Sequence, residues 1–354
     1  PPFFFHPPPA IRDPLWSRGL GDVYKRQFLF LALLFFSFNS FTSEKIFPLE
    51  EEDRTLYSKV YEEVQYVLQK NHFNNLNFIN FANKYRFNPF NIIRLYKILK
   101  QNEIQLLHCH GNKSIFLGSI LKNFLNIKLV ATVHAFKSKQ QSVKNYDVVI
   151  KVNKNINLLH PKTALVRNWV KPNLSSKISS RDGPFIAIGR LEEVKRFNLL
   201  IDAWEEINMP LVIIGEGSKR KYLESLIAKR NLSSRITLTG QLSENQLSKV
   251  FESAKGLIIT SKHEGGPRVA LESLSYQIPV FGSSVGYLTE LLSEELLANP
   301  EDEKQIIKTI RSCAHNANKI DVREATKNVL NKFSLIKAVQ IHLKIYDELL
   351  SNDL

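Results

Sequence analysis

GLIITSKHEGGPRVALESLSYQIPVFG, residues 256–282, reads as one strand–loop–helix–strand unit. Gly256–Thr260 is a short continuous apolar run, the pattern of a strand buried on both faces of a parallel sheet. Pro279–Gly282 repeats it. Between them Pro267–Tyr276 carries helical spacing, with Pro267 placed as the first helical residue, where its missing N–H costs nothing. Parallel strands joined through helices build doubly wound α/β sheets. The loop points to chemistry. Gly265 and Gly266 leave backbone amides bare at the positive end of the helix, which attracts phosphate or sugar oxygens. Glu264 stands just ahead of the helix, where a carboxylate can accept from sugar hydroxyls. Glu272 lies about 7–8 Å further along the axis from Pro267, at 1.5 Å per residue, and can bind a vicinal diol.

The alternation continues outward in both directions. Strands are expected at Phe185–Ile188, Leu211–Ile214 and Ile236–Thr239, and helices at Phe197–Glu206, Arg220–Lys229 and Glu244–Ser253. In the first half, strands are expected at Leu76–Phe81, Ile104–Cys109, Lys128–Val133, Val148–Val152 and Ala164–Val166. Helices centred on Ile92–Gln101 and Ile115–Leu125 separate the first three. Asn173–Pro184, rich in Ser and closing on Gly-Pro, reads as a linker. The expected fold class is therefore α/β, with two Rossmann-like doubly wound parallel-sheet domains and the site in the cleft between their facing strand ends. The expected domains are residues 28–180 and 181–332, followed by 333–354. In that last segment Phe333–Leu350 has amphipathic helical spacing.

A chain of 354 residues suits two domains. Its two cysteines, Cys109 and Cys313, fall in different halves and support neither a disulfide framework nor a zinc site. A cytoplasmic location, peripheral on a membrane face, is the expectation. Residues 181–354 hold 23 Lys+Arg and 23 Asp+Glu, whereas residues 1–180 hold 25 and 11, so the whole excess of +14 lies in the first half. That half complements something anionic, such as phospholipid headgroups or a phosphorylated acceptor, or else is simply a solvated basic face. Nucleic acid is not expected, because no recognised binding motif is present. Residues 1–27 read as a non-native leader resembling translated vector sequence. Phe28–Phe36 is too short an apolar run to span a bilayer and reads as a buried strand or an interfacial anchor. Ser43–Lys70 reads as a helix.

Positive charge to balance the two carboxylates is offered by GRLEEVKRF, residues 189–197, where Arg190 and Lys195 follow an expected strand. A planar guanidinium and a mobile ammonium both suit a diphosphate. With these residues in view, 185–292 resembles the donor-binding domain of retaining, GT-B-fold glycosyltransferases of family 4. The likeness rests on Gly189-Arg190-Leu191 with Lys195, Gly215-Glu216-Gly217, Gly240, Glu264 and Glu272 with seven residues between, Pro279-Val280, and Gly286 with Glu290. HCHGNKS, ATVHAF, YDVVIKV and RNWV resemble the strand-end loops of the first domain.

The resemblance implies that Arg190 and Lys195 bind the donor diphosphate, Glu272 the ribose and Glu264 the transferred hexose. It sets Gly240 and Gln241 beside the base, Gly265 and Gly266 on the donor, and His134 toward the reacting centre; a structural histidine is the other reading of His134. No metal and no cofactor is implied, since the nucleotide sugar is a substrate. Strand alternation also sends Cys109 to the face opposite His108 and His110, which argues against a metal trio. This sequence departs from the family at Arg196 and Gln277, where glycine is usual, and at Ser273-Leu274, where Ala-Met is usual. No glycine occurs between Gly21 and Gly111, so the expected first glycine-rich loop is missing and the natural N-terminus is read as lost or replaced. The expected function is transfer of a hexose from a UDP- or GDP-sugar to a glycan or glycolipid acceptor, as in lipopolysaccharide or exopolysaccharide synthesis, with retention. The alternative is an inactive nucleotide-sugar-binding fragment or assembly partner.

Overall fold

The computed structural model describes residues 89–134, 143–170 and 181–351. The readings of residues 1–27, Phe28–Phe36, Ser43–Lys70 and Leu76–Phe81, and most of the linker, lie outside these residues.

The first sheet is parallel and runs in chain order: β1 (Leu106–His110), β2 (Lys128–Val133), β3 (Val148–Lys151) and β4 (Thr163–Leu165). Strand β1 starts later than its apolar run because the Ile104 N–H still closes the preceding helix α1 (Pro89–Gln101), donating to Leu99 O at 3.1 Å. Alternation along β1 sends Leu107 and Cys109 into a core with Leu95 and Leu99 of α1 and with Leu121 of α2 (Asn112–Leu121). Leu106 and its neighbours Val130 and Ile150 face the other way, onto Ala338, Ile345 and Tyr346. Those three belong to the last helix, Leu335–Ser351, which crosses back to cover this face.

The second sheet holds β5 (Phe185–Ile188), β6 (Leu211–Ile214), β7 (Ile236–Gly240), β8 (Gly256–Ile259), β9 (Val280–Ser283) and β10 (Leu297–Ala298). All pair in parallel in the order β10-β9-β8-β5-β6-β7. The first strand in sequence is thus central, and the chain winds outward from it in both directions, the doubly wound order. Strand β5 is buried on both faces: Phe185 and Ala187 enter one core, with Trp204, and Ile186 enters the other, with Leu271 and Leu274. Between the strands lie α3 (Phe197–Trp204), α4 (Arg220–Lys229), α5 (Glu244–Ser253), α6 (Arg268–Ser275) and α7 (Leu288–Leu291). Helices α8 (Glu303–His315) and α9 (Arg323–Lys332) complete the unit before the last helix, α10. Strand β10 spans two residues, too few for a periodic signal; β10, α8 and α9 were not expected from the sequence.

Pro267 is not the first helical residue. Its ψ of 101° is extended, so it caps α6 and Arg268 begins it. Both positions where the family carries glycine lie in left-handed backbone, Arg196 at φ 49° and Gln277 at φ 57°, a conformation that costs an ordinary side chain roughly 1–2 kcal/mol. At Arg196 the strain is offset: Nε donates to Thr260 O at 3.1 Å and Nη1 to Pro300 O at 2.7 Å. Gln277→Gly should therefore stabilise the fold by about 0.5–1 kcal/mol in urea denaturation, the left-handed relief less the glycine entropy. Arg196→Gly should destabilise it by about 1–3 kcal/mol, because the buried Thr260 carbonyl and the partly buried Pro300 carbonyl lose a charged donor.

Candidate functional site

In a doubly wound sheet ligands bind at the carboxyl edge where the strand order reverses. Here that point lies between β5 and β8, and the loops leaving these two strands are fastened to each other. Thr260 Oγ1 donates to Lys195 O at 2.6 Å, and Lys262 N–H donates to Val194 O at 2.8 Å. The Arg196 bond to Thr260 O adds a third tie. These ties set two side chains face to face, and Lys195 Nζ donates to Glu264 Oε1. Ser261 Oγ donates to the same oxygen at 2.7 Å. With side chains 20% and 16% exposed, Lys195 and Glu264 form a largely desolvated pair that an incoming ligand can still reach.

The other expected residues lie along the same edge. Arg190 stands exposed just past Gly189 at the end of β5. After β6, the Gly215 backbone passes so close to β5 that a Cβ there would sit 2.0 Å from Gly189 O. Gly240 closes β7 in left-handed backbone at φ 77°, its carbonyl accepting from Gly215 N–H at 2.9 Å, and exposed Gln241 follows. Three strand spacings of about 4.8 Å separate β8 from β7, so Glu264 and Gly240–Gln241 mark the ends of an edge about 14 Å long. Glu272 is half-buried in the second turn of α6. The Gly265 and Gly266 carbonyls are bonded by Asn153 Nδ2 at 2.9 Å and Asn168 Nδ2 at 3.1 Å, from the loops after β3 and β4.

Sequence reasoning did not single out Asn153, Asn168, Arg268 or Tyr287. The partners of both asparagines lie about a hundred positions away, which no local pattern reveals. Tyr287 is fully buried, and burial pushes its phenol well above the usual value; Glu272 and Glu264 push the same way, while Arg268 and Asn168 oppose. Its ring lies against Gly266, where a Cβ would come within 2.4 Å of it. Arg268 lies over the Trp169 ring, 5.3 Å from its centroid, and Arg167 pairs with Glu290 at 2.8 Å, so both sides of the cleft are joined here.

His134 follows β2 on the facing edge. Burial depresses its pKa to about 4, with Arg268 and His342 adding to the effect. Its Nε2 lies 3.4 Å from His110 Nδ1. His108 is pinned through Thr132 Oγ1 at 2.7 Å and Tyr346 Oη at 2.6 Å, and burial, then the neighbouring histidines, hold its pKa well below normal. Cys109 turns into the opposite core, and burial pushes its thiol up to about 12. Among the described residues no three His, Cys, Asp or Glu side chains are placed to hold a metal ion. No described helix is long and apolar enough to cross a membrane.

With that geometry in hand, two family models match the chain: glycosyltransferase family 4 over residues 55–169 and glycosyl transferases group 1 over residues 174–329. The chain belongs to the group 1 glycosyltransferase family. Together the matches take in both sides of the cleft. This glycosyltransferase is 28% identical over 285 residues to an uncharacterized glycosyltransferase of Methanocaldococcus jannaschii, covering 73% of this chain and 80% of that one. It is 25% identical over 169 residues to the amylovoran biosynthesis glycosyltransferase AmsD of Erwinia amylovora, covering 44% of this chain and 45% of that one. The sucrose-phosphate synthase of Thermosynechococcus elongatus superposes with a TM-score of 0.66 at 19% identity, covering 74% of this chain and 77% of that chain. Anabaena Alr3699/HepE, solved in complex with UDP, superposes with a TM-score of 0.64 at 16% identity, covering 80% of this chain and 89% of that chain. At these identities the structural likeness establishes the GT-B fold, two Rossmann-like domains facing across a cleft.

The histidine burial has a measurable consequence for this glycosyltransferase. Folded His108 stays neutral, whereas in the unfolded chain it takes up a proton below pH 6.5. Stability is then undiminished above pH 7 and is lost as pH falls from about 6.5, by up to about 1.4 kcal/mol per pH unit for His108 alone. Urea midpoints measured from pH 7.5 to 5 should show this slope, and His108→Gln should reduce it.

Proposed function

We propose that the protein transfers a hexose from a nucleoside-diphosphate sugar to a glycan or glycolipid acceptor, with retention of anomeric configuration. The observation that carries this reading is the Lys195–Glu264 pair at the point where the strand order reverses. A departing diphosphate needs positive charge at the end of β5, and Lys195 and Arg190 supply it. A hexose needs carboxylate acceptors beside that charge, and Glu264, which accepts from Lys195 Nζ, supplies one. Glu272 is assigned to the ribose and Gly240–Gln241 to the base, as the family resemblance implies. Bound UDP in the Anabaena protein favours a UDP-sugar over a GDP-sugar as donor. The name of the Erwinia relative favours polysaccharide assembly as the setting.

Retention follows from front-face attack, in which the acceptor hydroxyl approaches on the side of the departing phosphate and passes its proton to a phosphate oxygen. No dedicated base is then needed, and neutral His134 serves as a hydrogen-bonding group at the acceptor side. The basic excess of residues 1–180 suits an acceptor, or an anionic membrane surface, that carries phosphate. Because a vesicle surface would be held electrostatically, the protein should pellet with anionic vesicles at low salt and be released at high salt.

Lys195→Ala and Glu264→Ala should each lower turnover about 10²- to 10³-fold, the cost of deleting a preorganised charge. Their effects on UDP alone should diverge. Glu264→Gln removes a carboxylate that competes for Lys195, so UDP should bind about threefold to tenfold tighter by calorimetry, whereas Lys195→Ala should weaken it. Near-normal turnover in both alanine variants overturns the site. NMR of the first product formed from an α-linked donor should show an α-glycoside; a β-glycoside contradicts retention. Donor binding with no transfer to any acceptor would favour the inactive reading instead.

A further inference from the structure

The donor loop is built by the second sheet, yet the groups that hold its backbone come from the first. Asn153 lies two residues past β3 and is 3% exposed. Its Nδ2 donates to Gly265 O at 2.9 Å, and its Oδ1 accepts from Asn155 N–H at 2.7 Å, so both ends of the amide are engaged and it cannot swing. Asn168 lies three residues past β4, and its Nδ2 donates to Gly266 O at 3.1 Å. Nearby, Asn155 Nδ2 donates to Gly286 O at 3.1 Å from an exposed position. Three amides of one domain thus grip three glycine carbonyls of the other.

The consequence follows from peptide geometry. No peptide bond among the described residues is cis, and across a trans peptide the C=O and N–H point in opposite directions. Drawing the Gly265 carbonyl toward Asn153 therefore turns the Gly266 N–H away from the first sheet, toward the domain that carries Glu264 and Lys195. Drawing the Gly266 carbonyl toward Asn168 fixes the next peptide, whose nitrogen belongs to Pro267 and carries no hydrogen. One donor is aimed and its neighbour is absent. Glycine is also required at the crossing, since a Cβ on Gly266 would lie 2.4 Å from the Tyr287 ring and 3.1 Å from Asn168 Nδ2.

We propose that Asn153 and Asn168 are positioning residues that set the Gly265–Gly266 peptides from the opposite domain, so that the grip on the sugar end of the donor depends on contact between the domains. This rests on the donor site proposed above and adds the residues that shape it. The asparagines bond to glycine carbonyls while Lys195 pairs with Glu264, so the sugar-dependent part of binding is affected and the nucleotide-dependent part is not.

The test uses the full chain with Asn153→Asp, Asn153→Leu, Asn168→Asp and Asn168→Leu. All four approximate the shape of asparagine and lack its N–H donor. Each should lower kcat/KM for the nucleotide sugar about 10- to 100-fold, the cost of misplacing a binding group by a fraction of an ångström to an ångström. In the neutral leucine variants, affinity for UDP alone should stay within about threefold of the parent, since the charged anchors are intact. Parental kcat/KM in the aspartate and leucine variants overturns the proposal, and so does a loss of UDP affinity as large as the loss of kcat/KM. Lys195→Ala is measured alongside. If it too is fully active, the donor site itself is misassigned; if it is inactive while the asparagine variants are active, only the positioning role fails.

Discussion

The loop that leaves β5 and the loop that leaves β8 are sewn together by Thr260 Oγ1 to Lys195 O, Lys262 N–H to Val194 O and Arg196 Nε to Thr260 O. Because β5 and β8 are the adjacent strands from which the chain winds outward in opposite directions, no helix crosses directly between their carboxyl ends. That gap is the space a ligand can enter, and the cross-link decides which side chains line it. Lys195 meets Glu264 there, in surroundings dry enough to strengthen the pair and open enough for exchange. The strained Arg196 backbone belongs to the same constraint: a glycine would relax the turn but would surrender the ties to Thr260 and Pro300.

From this constraint the charge logic of the cleft follows. The second domain balances its own charges, and its site pairs a cation with an anion, so a diphosphate arriving at Lys195 competes with Glu264 for it. Opposite, burial keeps His108 and His134 uncharged, so these two side chains offer hydrogen bonds rather than charge. Contacts between the two sides run through polar side chains onto backbone carbonyls and through the Arg167–Glu290 pair. Such bonds are directional and individually modest.

Much of this architecture was legible in the sequence because its parallel strands are continuous apolar runs bounded by glycine, proline or polar turns. Phe185–Ile188, Leu211–Ile214 and Lys128–Val133 coincide with the strands formed. The candidate residues Arg190, Lys195, Glu264 and Glu272 stand at fixed offsets from strand ends and a helix start, and the fold brings Lys195 and Glu264 into contact. What escaped depends on distance or on backbone detail. Asn153 and Asn168 bond to glycines about a hundred residues away. Pro267 differs from a first-turn proline only in ψ. Strand β10 is too short to show alternation, whereas α8 was readable from the helical spacing of Ile306, Ile310, Cys313 and Ala314 and from its Asp302 cap, whose carboxylate accepts from Gln305 N–H at 2.9 Å. The left-handed conformations of Arg196 and Gln277 became readable only beside the backbone, which shows why glycine is usual at both places.

If the cross-linked loops at the strand reversal hold the donor, binding must quiet the backbone there and leave the far edge of the same sheet unchanged. Amide hydrogen exchange with and without UDP measures this directly. The account predicts slowed exchange in residues 189–196 and 260–268, with no change around Arg181 and Lys319 beyond the amino ends of the strands. Slowing confined to that far edge, or the absence of any change under saturating UDP, would contradict it.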